Sequence, residues 1–282
     1  MSVTMERITP ALTGALGALH EHWREYLIEG FLLGLFMLVA CATVLLVQHP
    51  DSPLRRKMPG IRIRRLLIAT VIGLTAFELI TSPWGQRSGA HINPSVTLTY
   101  FLLGKVTLWD AVFYVAAQFA GAVLGIRAAR FLLGPRITHA TVKYVVTSPG
   151  AWGARAAWAS EFVIALVMMG VVLSTSNQAT TAPFTPVFVA ALVALFIVCV
   201  GPISGMSLNP ARSLASALAA RSYCGLWIYF TAPPLGMVCA AGVYIAVRGI
   251  DAVYCAKMDH PHHDGCIFEC REVEMPGRAQ HP

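Results

Sequence analysis

Two copies of one short sequence decide the fold of this chain: Ser88-Gly-Ala-His-Ile-Asn-Pro-Ser-Val-Thr97 and Ser204-Gly-Met-Ser-Leu-Asn-Pro-Ala-Arg-Ser213. Their asparagines, Asn93 and Asn209, lie 116 residues apart. Asparagine followed by proline is typical of a helix start, because the amide side chain caps free backbone N–H groups and proline has the φ angle of the first helical position. Each copy opens a short apolar stretch, so the sequence predicts two helices that begin inside a membrane.

The composition of the 282-residue chain is typical of a protein embedded in a membrane. Hydrophobic residues make up 56% and charged residues only 12% of the sequence, whereas a soluble domain carries about 25% charged residues. We therefore predict an all-α membrane protein with six transmembrane helices and two re-entrant half-helices of about half the spanning length, residues 92–103 and 208–219. The six predicted spans are Leu27–Val47, Leu66–Ser82, Thr107–Leu133, Ala156–Thr175, Phe184–Ile203 and Gly225–Val247.

The two halves of the chain repeat the same order of elements: span, span, half-span, span. Each first span contains one acidic residue, Glu29 or Glu161. Because three spans per half is an odd number, the second half must enter the membrane in the opposite direction, and a functional site is expected at the midplane where the half-helices meet. We divide the chain into an amphipathic or irregular lead-in, a first repeat, a connecting loop, a second repeat and a polar tail, at residues 1–24, 25–133, 134–155, 156–247 and 248–282.

The charge pattern excludes some classes of function. The net charge of +7 comes from basic residues that fall in loops between the spans, which favours contact with anionic lipid headgroups and argues against nucleic acid as a partner. The sequence places no nucleophile–base pair and no open metal site at membrane depth. We therefore expect no enzymatic activity and no required cofactor.

Further residues accompany the two Asn-Pro motifs: Arg212 directly after the second, Gln118 in the third span and Pro233 in the last. With these residues, and with Glu29 and Glu161, the chain resembles the aquaporin, or major intrinsic protein, family over roughly Glu29 to Val247. The resemblance implies a passive channel for water and small uncharged solutes, multi-pass in the cell membrane and assembled as a homotetramer. It implies that the two glutamates hold loop backbone behind the half-helices. It also assigns the pore constriction to Asn93, Pro94, Ser95, Asn209, Pro210 and Ala211, where Ser95 replaces the usual alanine.

The chemistry of a helix cap explains how such a constriction excludes protons. If each asparagine oxygen accepts backbone N–H groups, its NH2 group is left to point into the pore as a donor. A passing water must turn its oxygen towards both donors and its hydrogens outward, which breaks a continuous proton wire. The two half-helix N-termini, each with roughly half a positive charge, add a field that repels protons and cations. His91, just before the first motif, either packs the loop or makes a pH-sensitive contact near one pore mouth.

In the family, four positions form the narrowest ring of the pore, and the resemblance places Arg212 among them. Counting back along the chain assigns the next two positions to Met206, where water-selective members usually have a small or polar residue, and to Ile197, where they usually have histidine. The fourth falls on Ile72 or Gly73, depending on the alignment of the second span, and lacks the usual aromatic side chain. This ring would have apolar walls and one charged donor, which favours small uncharged solutes beyond water.

Other positions indicate a water channel. Ser213 and Ala217 stand where glycerol-conducting members tend to have an acidic and a basic residue, and Tyr229 and Phe230 where they tend to have proline and an aliphatic residue. We therefore predict a water channel with leakage of small uncharged solutes. The first alternative is a facilitator mainly for glycerol, metalloid acids or hydrogen peroxide, and the second is a non-conducting structural or metal-sensing membrane protein.

The indications for orientation conflict. The resemblance places both termini in the cytoplasm. The sequence has eight basic residues on the side of the termini and twelve on the other side, with Arg212 set aside as a pore residue, and by the positive-inside rule this bias predicts termini outside. We expect cytoplasmic termini, because an inverted repeat is nearly symmetric and the charge bias is only statistical.

The tail contains three cysteines and three histidines within a short segment. Thiolate and imidazole groups are typical zinc ligands, usually four to a site. The spacing matches no standard zinc finger, so a redox or disulfide role and a simple polar tail are the alternatives. If zinc or another soft metal binds, we expect Cys255, His260, Cys266 and Cys270 to be its ligands.

Overall fold

The structure is a computed structural model that describes residues 2–260 and 266–277, with the side chains of residues 14–260, 266–271 and 273–277. Within these ranges the chain forms α-helices joined by loops and short 3-10 turns, without β-strands. The helices are α1 (Ser2–Gln48), α2 (Pro53–Lys57), α3 (Ile61–Thr81), α4 (Pro83–Ser88), α5 (Pro94–Leu102), α6 (Leu108–Leu133), α7 (Gly153–Ser176), α8 (Thr185–Cys199), α9 (Gly201–Ser204), α10 (Pro210–Ala220) and α11 (Leu226–Arg248).

Six long helices form the body of the protein, which confirms the predicted fold class. Five of them are long and apolar enough to cross a membrane: α1 from Gly14 onward, α6, α7, α8 with the turn before it, and α11. The sixth, α3, has a sufficient length of 21 residues, but its first turns are strongly basic. Arg64 in this basic start is buried and donates to Gln48 Oε1 at the end of α1 and to the carbonyls of Met58 and Pro59. The buried guanidinium of Arg64 therefore ties the start of α3 to the end of the first span.

Some element boundaries differ from the sequence prediction. Residues 2–24, for which we left an irregular course open, are helical and continuous with the first span. Contacts with α6 hold this extension, because His22 Nδ1 lies 2.8 Å and Tyr26 Oη 2.6 Å from Asp110 Oδ1. The fifth span ends at Cys199 and is followed by the separate turn α9, because Pro202 cannot continue the helical hydrogen bonding of α8.

The two half-helices α5 and α10 have 9 and 11 residues. Each begins at an Asn-Pro motif, with the asparagine at the N-cap in extended conformation and the proline at the first helical position. Both half-helices pack against α6 and α11, and they meet each other at their N-terminal ends. The repeated motif therefore lies at the centre of the helical bundle.

The two repeats pack in matching ways. α1 packs along α6 in the first half, and α7 packs along α11 in the second. Glycines allow the close approach of α1 and α6: a Cβ on Gly30 would lie 2.8 Å from Ala117 O, and one on Gly34 would lie 2.9 Å from Gly121 O. Small residues four apart are a common device for close helix contact in membranes. This contact positions Glu29, which adjoins Gly30, behind the first half-helix.

Candidate functional site

The amide oxygens of Asn93 and Asn209 cap the two half-helices. Asn93 Oδ1 accepts a hydrogen bond from Ser95 N at 2.9 Å. Asn209 Oδ1 accepts two, from Ala211 N at 3.0 Å and Arg212 N at 3.2 Å. Each cap satisfies backbone donors that a helix start otherwise leaves free. The oxygen of each asparagine is thus engaged, and its NH2 group faces away from its own helix.

The amide nitrogens of the two asparagines cross between the repeats. Asn93 Nδ2 donates to Leu208 O at 2.8 Å, and Asn209 Nδ2 donates to Ile92 O at 2.7 Å. An asparagine NH2 group has two donor hydrogens, so one on each residue is used to join the halves and one is left for a permeating molecule. The sequence reasoning anticipated the caps but missed these cross-links.

The chain before each half-helix is unwound and strained. Ala90 and Ile92 in the first copy, and Met206 and Leu208 in the second, have φ angles between 49° and 59°. Non-glycine residues in this left-handed region carry strain of about 1–3 kcal/mol each and persist only where the surroundings hold them. The unwound backbone brings carbonyl groups such as Ile92 O and Leu208 O to the centre of the bundle.

Glu29 holds the first unwound segment. Its carboxylate is fully buried and accepts hydrogen bonds from His91 N at 3.0 Å, Ile92 N at 2.6 Å, Ser88 Oγ at 2.8 Å and Gln118 Nε2 at 2.9 Å. These bonds offset the cost of burying a charged group. They also fix the backbone conformation just before the first cap.

Glu161 occupies the equivalent position in the second repeat. It accepts hydrogen bonds from Ser207 N at 2.8 Å, Leu208 N at 2.8 Å and Ser204 Oγ at 2.5 Å. The two glutamates therefore accept hydrogen bonds from equivalent atoms of the two motif copies. Glu29 has one additional donor, Gln118. The structure places both acids where the family resemblance implies, against loop backbone.

Two tyrosines that the sequence reasoning missed complete this arrangement. Tyr114 Oη donates to Ser88 O at 2.7 Å, and Tyr229 Oη donates to Ser204 O. Both tyrosine side chains are fully buried. The two tyrosines lie 115 residues apart, and the two asparagines lie 116 residues apart. Aligning the two halves of the sequence on their Asn-Pro motifs would therefore have revealed the tyrosine pair.

A continuous cavity of about 420 Å³ runs between the repeats and past both Asn-Pro motifs. Its wall is mostly aliphatic, and its polar groups include Asn93, Asn209 and Arg212. Nη1 of Arg212 is buried and has no hydrogen-bond acceptor among the described residues. The Arg212 side chain thus lines the cavity and has an N–H group that no described residue engages.

The structure brings four of the five expected ring residues to this cavity. Ile72, Ile197, Met206 and Arg212 line it. Gly73, the other alternative for the second span, packs instead against α8, where a Cβ would lie 2.7 Å from Ala190 O. The correction follows from helix geometry, since adjacent residues on a helix point about 100° apart and only Ile72 faces inward.

The tail does not form a separate polar appendage, as its composition suggested. Val253 and Ala256 are fully buried, and Met258 lines the cavity beside His91. His91 Nε2 lies 2.9 Å from Ala256 O, and Phe268 stacks on the His91 ring with centroids 5.2 Å apart. The tail therefore packs against His91 and contributes Met258 to the cavity wall on the side of the first motif, and His91 is a buried packing residue there.

The four predicted metal ligands of the tail lie together. One ligand atom from each of Cys255, His260, Cys266 and Cys270 falls within 4.8 Å of all the others. Hydrogen bonds from the Cys255 and Cys270 thiols lower the pKa of Cys266, and the hydrogen bond with Cys266 raises the pKa of Cys255. His262 and His263, which belong to the same sequence cluster, lie outside the described residues.

The fold and the site define a multi-pass membrane protein with a pore between two inverted repeats. The family model described as Major intrinsic protein matches residues 18–244. Aquaporin NIP1-1 of Arabidopsis thaliana is 34% identical over 226 residues, covering 78% of this chain and 72% of that protein. Aquaporin NIP3-1 of Oryza sativa subsp. japonica is 35% identical over 218 residues, covering 77% and 66%.

A solved structure with the same fold is the aquaglyceroporin from Plasmodium falciparum. It has a TM-score of 0.67 and 22% sequence identity, and the match covers 82% of this chain and 99% of that one. The chain belongs to the major intrinsic protein family. It is a passive membrane channel for water and small solutes, as the sequence predicted, and not an enzyme.

Proposed function

We propose that the channel conducts water and also passes small uncharged solutes of glycerol size, and that its selectivity ring consists of Ile72, Ile197, Met206 and Arg212. The apolar character of this ring carries the proposal. It offers one charged donor, the Arg212 guanidinium, against three aliphatic or thioether walls. A permeating water finds few hydrogen bonds there, whereas the carbon chain of a polyol contacts apolar surface at little desolvation cost.

Charge exclusion rests on a different part of the pore. The N-termini of α5 and α10 meet at the asparagines, and each contributes roughly half a positive charge. The Arg212 guanidinium adds a full positive charge close to the second N-terminus. Cations and protons therefore meet a repulsive field in a channel that a neutral molecule crosses freely.

The experiment is a stopped-flow measurement on proteoliposomes, with empty liposomes as the baseline. We expect water permeability well above baseline and measurable glycerol permeability. Ile197→His replaces an aliphatic wall of the ring by a hydrogen-bonding side chain of similar size and should lower the glycerol permeability more than the water permeability. Met206→Leu, which keeps an apolar side chain of similar size, is the matched control and should change neither. Uptake of glycerol, boric acid or hydrogen peroxide without water permeability would support the alternative of a facilitator. If no solute and no water permeates, the non-conducting alternative is supported.

We also propose that the termini lie in the cytoplasm and that the channel is a homotetramer in the cell membrane. The family resemblance supports both, although the distribution of basic residues favours the opposite orientation. Labelling of a tag at the C-terminus in intact cells would contradict the cytoplasmic orientation. Native mass spectrometry in detergent should show four chains, and a monomer as the main species would contradict the tetramer.

A further inference from the structure

Two separations between ligand atoms of the tail cluster match those in a tetrahedral metal site, and all four atoms lie within 4.8 Å of one another. Cys255 Sγ and Cys266 Sγ are 3.7 Å apart, and Cys270 Sγ and His260 Nε2 are 3.4 Å apart. With Zn–S bonds of about 2.3 Å and a Zn–N bond of about 2.0 Å, tetrahedral geometry requires separations of about 3.5–3.8 Å between ligand atoms. The sulfur atoms are too far apart for a disulfide, whose S–S bond is about 2.0 Å, and all three cysteines are free.

We propose that Cys255, His260, Cys266 and Cys270 bind one Zn²⁺ or a similar thiophilic cation, and that this cation holds the tail in the pore entrance and lowers permeability. Three thiolates and one imidazole select zinc over the hard cations Mg²⁺ and Ca²⁺. Four protein ligands fill a tetrahedral site, which is typical of a structural zinc. Lys105 Nζ donates to Glu269 O at 3.3 Å, so a cationic side chain lies next to the segment that carries Cys266 and Cys270.

The first segment of the cluster carries the residue that reaches the pore. Met258 lies between the ligands Cys255 and His260 and lines the cavity. Its backbone N donates to Gly89 O at 3.2 Å, and Ala256 O lies 2.9 Å from His91 Nε2. A cation bound on both sides of Met258 therefore restricts the segment that narrows the entrance.

The second segment of the cluster docks beside the first. Phe268, between Cys266 and Cys270, stacks on His91 with an interplanar angle of 11°. Glu269 N donates to Lys105 O at 3.1 Å. Each docked segment thus contacts the channel body on its own, and the cation would join them into one unit.

Joining the two segments makes docking more favourable. Without the cation, each segment must lose its conformational entropy separately when it docks. With the cation, the segments are already ordered relative to each other, so the cost of docking falls. The docked tail also holds the four ligand atoms within coordination distance, so it binds the cation more tightly than a loose tail and the cation shifts the equilibrium towards the docked state.

The first test is a metal measurement on full-length protein purified without chelators. Elemental analysis should show one zinc per chain, and exchange for Co²⁺ should give the absorption bands of a tetrahedral thiolate site. Cys266→Ser/Cys270→Ser should lose the metal. Cys224→Ser/Cys239→Ser, which removes the same number of cysteines from exposed positions outside the cluster, should keep it. The absence of stoichiometric zinc in the wild type, even after zinc is added and excess removed, would overturn the proposal.

The second test measures water permeability of the same proteins in liposomes, and it rests on the water permeability proposed above. In reducing buffer, chelation of zinc should raise permeability several-fold in the wild type and in the Cys224/Cys239 control. Cys266→Ser/Cys270→Ser and Met258→Ala should be permeable before chelation and should not respond to it. If the zinc-loaded protein conducts water equally with and without chelator, the proposed gating is contradicted, whereas the zinc site is not. Protein that binds zinc but never conducts water contradicts both the gating and the proposed solute range.

Discussion

Asn93 and Asn209 each donate an amide hydrogen to the carbonyl group directly before the other asparagine, at Leu208 O and Ile92 O, over 2.8 and 2.7 Å. The two repeats are therefore linked by the same side chains that cap their half-helices. Asparagine has the shortest side chain that offers both an oxygen for the helix cap and an NH2 group for the opposite repeat. The link fixes the position of both remaining N–H donors in the pore.

Alanine substitutions at the two asparagines should destabilise the protein to different extents. Asn209→Ala removes an acceptor of two backbone N–H groups, whereas Asn93→Ala removes an acceptor of one. Loss of an N-cap costs about 0.5–2 kcal/mol, so we expect the larger fall in apparent melting temperature in detergent for Asn209→Ala. The double variant should lose less than the sum of the single losses, because the two amides position each other. Equal and additive losses would contradict the reciprocal link.

Glutamine at either buried glutamate should destabilise the protein strongly. Glu29→Gln and Glu161→Gln each replace one acceptor oxygen by a donor that faces backbone N–H groups. A buried unsatisfied donor costs about 1–3 kcal/mol. We expect a lower melting temperature and less monodisperse protein on size-exclusion chromatography. The exposed acid Glu78 in α3 provides the control: Glu78→Gln should match the wild type, and an equal loss there would indicate that any span carboxylate is needed.

The α1–α6 contact should tolerate no added methyl group at Gly34. In Gly34→Ala the new Cβ would lie 2.9 Å from Gly121 O, a backbone atom that can move only with its helix. Overpacking of this kind costs about 1–3 kcal/mol, and we expect a corresponding fall in melting temperature. Gly17→Ala on the same helix meets nothing within 4 Å and should be neutral or slightly stabilising. A neutral Gly34→Ala would contradict the close packing of α1 against α6.

The docked tail should loosen when its aromatic anchor is removed. Phe268 is buried against His91, and replacing a buried phenylalanine by alanine removes roughly 3–5 kcal/mol of packing. We expect faster hydrogen exchange at the backbone N–H of Met258 in Phe268→Ala. Val273→Ala, at a residue that is 59% exposed, should leave this exchange unchanged. Protection that survives in Phe268→Ala would mean that other contacts hold the tail.

The repeated Asn-Pro motifs were sufficient to predict the fold and the caps, because capping is local chemistry between a side chain and the next residues along the chain. The roles of the two glutamates were implied by the family resemblance, and the high cost of a buried acid in a membrane explains why each one is surrounded by hydrogen-bond donors. The choice between Ile72 and Gly73 did not follow, because a shift of one residue in a featureless apolar helix leaves no trace in composition. Ile72 lines the cavity whereas Gly73 packs against Ala190, and these contacts separate them.

The cross-links and the tail depend on contacts between distant parts of the chain. Asn93 and Leu208 are bonded across 115 residues, and His91 and Ala256 across 165. The tail has polar and charged residues throughout, so its overall composition concealed the buried residues Val253, Ala256, Met258 and Phe268. The cluster of cysteines and histidine was visible in the sequence, but its position at the pore entrance was not.

One pore should both pass neutral molecules and exclude charge. The most direct test measures water and proton flux in the same proteoliposomes, by stopped-flow light scattering and by an enclosed pH-sensitive dye. The crossed asparagines, the facing helix N-termini and Arg212 predict water permeability well above that of empty liposomes with a proton flux equal to theirs. Water permeability at the level of empty liposomes, or a proton flux that rises with the amount of protein, would contradict the account.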